Sequence, residues 1–494
     1  MNILLITLDQ FRGDCLSSAG HPLVQTPHLD ALAADGVRLA RHYSQATPCA
    51  PGRACLYTGM YQMNNRVVAN GTPLDDRFDN VARAGRRAGF APALFGYTDQ
   101  GVDPRLVDGP DDPRLSDYEG VLPGFDCELD LAGFMRPWLD WLRERGHDVP
   151  NDIERVLETC GDRPAEDSIS AFLTERAMAW IDDRDGPWFA HLSYLRPHPP
   201  YAAAGHWAER YDPADVGLPI PPEPVHPLHE LAMANGLAGA PTDEGELRRM
   251  RAQYYGMIGE VDEQLGRLWD HLRAAGAWDD TFVLVTADHA EMLGDHGLQQ
   301  KLGYWEESHH ILGLVRDPRH PEAHGTVVDR FTENVDVLPT LCDAMDLTVP
   351  AQCDGLPLTP FLQGEEPPWW RSAAHWEYDW RDIFIRRTPP EWPWDRRLEQ
   401  QHLTVLRNET HAYVQFGDGS WLCFDLVADP TWRTITDDPA VVLPLTQEML
   451  TWRSQHTDRT MADMLLTRGG IGRWPALPDG WGDVSPAAAS TSPP

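Results

Sequence analysis

Along the chain, short unbroken apolar runs that stop at polar residues alternate with stretches where apolar residues recur every three or four positions. Asn2 to Leu8 stops at Asp9, Trp188 to Tyr194 leads into Arg196-Pro197-His198, and Thr281 to Thr286 leads into Asp288-His289. Runs this short predict parallel strands buried on both faces. Helical spacing predicts a helix opened by Thr26-Pro27, carrying Leu29 and Leu32 and stopped by Gly36, and another from Ile169 to Ile181. The longest helix places Leu247, Met250, Tyr254, Ile258, Val261, Leu265, Leu268 and Leu272 on one face, with Asp243 and Glu246 as a capping box and Gly276 as its end. Asn334 to Met345 reads as a further helix packed on the sheet. Beyond about residue 365 the period changes to two, as in His411 to Phe416, which predicts antiparallel strands.

This order gives an α/β domain over 1–365, a smaller antiparallel-sheet subdomain over 366–465 and an extended tail over 466–494. The Pro-, Ala- and Ser-rich end from Ser485 is expected to be disordered. Residues 105–165 are rich in Asp, Pro and Gly and read as long loops with a short helix near Trp138, placed as a lid; 202–240 read as irregular.

Composition narrows the chemistry. With 41 basic and 76 acidic side chains the formal net charge is -35, which argues against nucleic acid as a partner. An anionic substrate must then be captured by a local basic pocket. No apolar run is long enough for a membrane span, and the amino terminus reads as an immediate strand without a leader. Eight cysteines without a paired framework fit a reducing cytoplasm.

The candidate chemistry centres on Thr47 to Gly59, where Cys49, Pro51 and Arg53 are spaced Cys-x-Pro-x-Arg. Pro51 suits the first turn of a helix, so Cys49 is expected just ahead of it, where free N–H groups and the helix dipole favour an anion. Arg53 would add a planar fork for sulfate or phosphate oxygens. A buried free cysteine beside a helix start is the plain alternative. Asp9, at the carboxyl end of the first strand, is either a turn cap or a hard oxygen donor for a divalent ion. Asp288 and His289 supply an oxygen and a nitrogen on the same sheet edge.

The signature around Cys49, the Thr26 to Gly36 helix, and the segment Asp288-His289-Ala290-Glu291 with Gly294-Asp295-His296 together resemble the sulfatases of the alkaline phosphatase superfamily. Asn64 to Asp75, Ala93 to Asp99, Gln10 and His289 resemble most the phosphonate monoester hydrolases and their arylsulfatase relatives. The resemblance implies an alkaline-phosphatase-like sandwich, with a large mixed, mostly parallel sheet flanked by helices and a small antiparallel sheet after it. It also implies that Cys49 is oxidised to formylglycine by a formylglycine-generating enzyme. One divalent ion (Mn, Ca, Mg or Zn) would be held by Asp9, Cys49, Asp288 and His289, and the hydrated aldehyde would attack sulfur or phosphorus.

Arg53 and Lys301 would neutralise the transferred group, and His198 would give a proton to the departing alcohol. Asn70 and Tyr97 match the anion pocket. On their own, Asn70 reads as a turn residue, Tyr97 as packing, His198 as structural and Lys301 as a surface lysine. Asp99 departs from the family pattern and faces the same pocket; a carboxylate there suits a dianion only if protonated or turned away, or selects a cationic leaving group. Asp295 and His296 are expected to orient the ligands. The resemblance leads to a hydrolase of phosphonate monoesters, phosphodiesters and sulfate esters acting as a homo-oligomer. A dedicated arylsulfatase is the alternative, and an anion-binding protein with unmodified Cys49 is the alternative of another class.

Overall fold

The first apolar run forms β1 (Asn2–Leu8) and takes the middle of the larger sheet. The other strands are β2 (Val37–Tyr43), β4 (Ala93–Gly96), β5 (Asp126–Asp130), β6 (Phe189–Tyr194), β7 (Thr281–Thr286), β9 (Gly313–Arg316) and β10 (Thr326–Glu333). Their order is β10-β2-β9-β7-β1-β6-β4-β5, with the short β8 (His310–Ile311) beside β2. From β7 to β5 every pair is parallel, and β9 runs antiparallel to both β7 and β2. The computed structural model describes residues 1–381 apart from Tyr118 and Pro224, together with 400–461, 464–467 and 470–473. The expected disordered end of the tail lies outside the described residues.

Both faces of β1 are buried, which is why its sequence is a continuous apolar run. Leu4, Ile6 and Leu8 pack on one side with Leu29, Phe172 and Ile258, from helices Pro27–Ala34, Ile169–Asp182 and Glu244–Ala274. Ile3 and Leu5 pack on the other with Ala54, Val81 and Leu338, from helices Cys49–Thr58, Val81–Arg87 and Val337–Ala344. Each Leu, Ile, Val or Phe among these contributes roughly 1.5–3 kcal/mol by leaving water. None of the described helices is long and apolar enough to cross a membrane.

A second sheet runs β14-β13-β12-β11-β3, from β11 (Ala373–Asp379), β12 (His402–Asn408), β13 (His411–Phe416) and β14 (Trp421–Asp425). Its first four strands are antiparallel, as the alternating pattern predicts. β3 (Ala46–Thr47) pairs parallel with β11, so this sheet grips the chain directly before Cys49.

Several local expectations are corrected. Helix Pro27–Ala34 stops at Gly36 as expected, with Asp35 as its last cap residue, but the Thr26 hydroxyl contacts Asp30 rather than capping the backbone. In residues 105–165 the short helix expected near Trp138 is present as Arg136–Glu144, but β5 and helix Ile153–Glu158 were not expected; β5 is an edge strand with one buried residue and shows no alternation. The 202–240 stretch contains helix Pro227–Met233. The longest helix has the Asp243 half of its capping box, with the Glu246 amide 2.9 Å from the Asp243 carboxylate.

Candidate active site

Parallel register brings the site together. Thr7 stands opposite both Thr286 of β7 and Ser193 of β6, so Asp9, Asp288 and the loop after Tyr194 leave the sheet at one carboxyl edge. Tyr97 follows β4 at the same edge. The helix Cys49–Thr58 starts at Cys49 itself, with Pro48 as its cap residue, so Cys49 lies in the first turn rather than ahead of it. Proline is tolerated there because amides of the first turn have no helical partner. Gly52 allows the approach: a Cβ on it would stand 2.4 Å from the Asp288 carbonyl oxygen. Gly59, in the left-handed conformation with φ +68°, ends the helix.

One ligand atom each from Asp9, Cys49, Asp288 and His289 lies within 4.8 Å of the others, all buried. Asp9 Oδ1 is buried without a hydrogen-bond partner. His289 Nδ1 donates to the Ala290 carbonyl at 3.1 Å, so the neutral ring keeps a lone pair on Nε2, which lies 3.3 Å from Cys49 Sγ. Burial first, then Lys301, holds the His289 imidazole well below its usual range, in the form a metal accepts. Two carboxylates, one with an unpartnered oxygen, and a neutral imidazole fit a divalent cation.

Arg53 is fully buried and turned toward carboxylates. Its Nε lies 3.0 Å from Asp288 and 3.2 Å from Asp99, and Nη2 lies 3.0 Å from Asp9. Nη1 donates to Ser193 Oγ at 2.8 Å and to the Tyr97 carbonyl at 3.1 Å. The Tyr97 hydroxyl donates to Asp9 at 2.7 Å, and Asn70 accepts the Ala50 amide at 3.0 Å. Burial first, with Arg53 opposing and Asp9 adding, pushes the Asp99 carboxyl up to about 8. Burial also raises the Cys49 thiol well above its usual range, so it is a poor thiolate as it stands.

Above this cluster is a cavity of about 480 Å³ whose polar lining includes Asp9, Cys49, Asn70, Tyr97, Asp99, His198 and Lys301. Leu131, Met135, Leu157, Leu195, Leu237 and Leu302 form its apolar wall, the first three from the segment expected as a lid. Every expected site residue is therefore in the cavity wall or, for Arg53, Asp288 and His289, joined to it by direct contact. Lys301 Nζ donates to Gln10 Oε1 at 2.8 Å, and Gln10 Nε2 donates to the buried Glu291. His198 Nδ1 donates to the Pro199 carbonyl at 2.7 Å. Burial and then Lys301 lower the His198 ring to about 4.

Asp295 and His296 are corrected. Asp295 is held by Arg12 at 2.7 Å and by the Ile220 amide at 2.8 Å, and His296 faces Glu307 at 3.5 Å, so they fasten loops rather than orient ligands. Gln10 and Glu291 were missed as site residues, although they flank Asp9 and His289 in sequence.

The sulfatase family model matches residues 1–347, and a model for the C-terminal part of N-sulphoglucosamine sulphohydrolase matches 294–451. The chain belongs to the sulfatase family. This family is part of the alkaline phosphatase superfamily, and its member here is an ester hydrolase. The chain is 36% identical to the multifunctional alkaline phosphatase superfamily protein PehA of Trinickia caryophylli, over 93% of this chain and 96% of that one. The solved phosphonate monoester hydrolase of Agrobacterium radiobacter superposes with a TM-score of 0.85 at 40% identity, covering 96% of this sulfatase and 99% of that chain. The one from Silicibacter pomeroyi gives 0.86 at 34%, covering 97% and 100%.

Proposed function

We propose that this sulfatase hydrolyses phosphonate monoesters and phosphodiesters, and sulfate esters alongside them, using residue 49 as nucleophile after its conversion from cysteine to formylglycine by a formylglycine-generating enzyme. The observation that carries the reading is the buried Asp9, Cys49, Asp288 and His289 cluster at the head of a helix, with one Asp9 oxygen left without a hydrogen-bond partner. A divalent ion held there would supply Lewis acidity toward the ester oxygens, and the hydrated aldehyde would supply the attacking hydroxyl.

The chain's own groups do the rest. Lys301, steadied by Gln10, bears the charge of the transferred group. Arg53 fixes Asp9 and Asp288 in place. Asn70 and Tyr97 order the pocket floor. His198 is neutral in the free site; the negative charge of a bound anion offsets Lys301, so that Nε2 takes up a proton from solvent and then gives it to the leaving oxygen. The apolar wall suits an ester whose alcohol part is largely hydrophobic.

Likeness to two phosphonate monoester hydrolases at 40% and 34% identity favours phosphorus esters over a dedicated sulfate activity. Sulfate monoesters share the single negative charge and tetrahedral shape of those substrates, so both are expected to turn over. The test is a rate comparison of the matured enzyme on phenyl phosphonate esters, a phosphodiester and an aryl sulfate, beside Cys49→Ala. The proposal expects the phosphorus esters to react fastest and C49A to be inactive on all three. Retained activity in C49A overturns it.

A further inference from the structure

The loop that carries His198 is fastened from beneath by a buried cation. Arg196 is 1% exposed, and its guanidinium donates to the carbonyl oxygens of His198 at 3.0 Å, Ala202 at 3.0 Å and Pro200 at 3.3 Å. It also lies 3.4 Å from Cys160 Sγ and 4.0 Å from the buried carboxylate of Glu260. Cys160 donates its thiol to the Ala202 carbonyl at 2.8 Å. Glu260, on helix Glu244–Ala274, accepts the Ala204 amide at 3.1 Å and the Ser170 hydroxyl at 2.7 Å. Residues 197, 199 and 200 are prolines, so the loop has few amides with which to build hydrogen bonds of its own. Buried carbonyls need donors, and here three are gathered onto one planar group.

We infer that Arg196, seated between Glu260 and Cys160, is a positioning residue for the reaction: it fixes the 198–202 backbone so that the His198 imidazole faces the leaving-group side of the cavity. The inference rests on the proposed role of His198 as proton donor. The Nδ1 bond to the Pro199 carbonyl sets the ring's tautomer, but the carbonyl orients the ring only if the loop itself is fixed. Arg196 supplies that fixation from outside the cavity wall and touches no reacting atom. Lysine at this position keeps the charge and loses the planar fork that reaches three carbonyls together.

The experiment compares phosphodiesters with a good leaving group, 4-nitrophenol, and a poor one, an unactivated alkyl alcohol, in the matured holoenzyme and in H198A, R196K and H198A/R196K. A donated proton matters most for the poor leaving group, so H198A is expected to lose about 100-fold or more on the alkyl ester and far less on the nitrophenyl ester. R196K is expected to show the same selective loss in kcat, with KM little changed, and to add nothing in the H198A background. An R196K loss that is equal for both esters, or that multiplies with H198A, overturns the positioning role. An H198A enzyme without leaving-group selectivity overturns the His198 reading, and this inference with it. Glu260→Gln, which keeps its volume, is read by the same criteria should R196K fail to fold.

Discussion

Arg53 offers the sharpest test of how the acidic site is held together. Three buried carboxylates, those of Asp9, Asp99 and Asp288, lie 3.0–3.2 Å from its guanidinium. Arg53→Met keeps much of the apolar stem and removes the charge. Taking away one partner of a buried ion pair costs about 3–5 kcal/mol, because the remaining charge is neither solvated nor paired. Protonation of Asp99, already pushed up to about 8, relieves part of this. A chain of 494 residues has an unfolding entropy of roughly 1 kcal/mol/K, so the loss corresponds to about 3–5 °C in the thermal midpoint. The assay is thermal unfolding of wild type and R53M, first with chelator and then with a divalent ion. In chelator the variant is expected to melt about 3–5 °C lower. With the ion it should gain more than wild type, because the ion supplies positive charge that the variant lacks. Equal midpoints in chelator would refute the reasoning, since the carboxylates would then not depend on Arg53.

Asp9→Asn keeps the shape but removes the charge from the orphaned oxygen; metal analysis of the purified variant should give well under one ion per chain, and full occupancy would contradict the ligand set. Gln10→Leu cuts the bond to Lys301, and loss of a hydrogen bond to a charged group predicts a fall in kcat of about 10- to 100-fold, measured on a phosphodiester; an unchanged rate would contradict it. His42, His191 and His309 are buried with pKa values lowered to about 3, and His198 to about 4, chiefly by burial. The unfolded chain therefore binds more protons below about pH 6.5, and stability present above that pH is lost as pH falls toward 4, by about 1.4 kcal/mol per pH unit for each ring. Asp99, raised to about 8, and Asp262, raised to about 7, act in the opposite sense with Glu291 and Asp336, losing stability as pH rises from about 4 toward 8, but the lowered imidazoles, which include His21, His226, His229 and His289, outnumber them. Urea midpoints at pH 7, 6 and 5 should fall steeply below 6.5; a flat profile would contradict the neutral burial of these rings.

The strand ends were legible because apolar runs on both sides of the chain stop at Asp9 and Asp288, and a parallel sheet brings such ends to one edge. The Cys49–Thr58 helix was legible from Pro51, but its start was not, since proline is accepted throughout the first turn and does not mark which residue opens it. The pairing of Asp99 with Arg53 depends on a left-handed backbone at Asp99, φ 53°, which spacing does not reveal. Lys301 likewise reaches the cavity through a loop with Gln300 at φ 63°, so its place came from resemblance and not from periodicity. β5 escaped notice because an edge strand facing water on most positions carries no two-residue alternation. Arg196 and Glu291 bond to carbonyls and amides of the loops that follow them, and no residue pattern encodes such contacts.

The reading stands or falls on the covalent state of residue 49. The decisive measurement is the mass of the peptide containing Cys49 from protein made with a formylglycine-generating enzyme, taken alongside the hydrolysis rate of the same preparation. Conversion to formylglycine lowers the mass by about 18 Da. The account predicts that the converted fraction rises and falls in step with the rate. Full activity from a preparation in which the thiol is intact would contradict it.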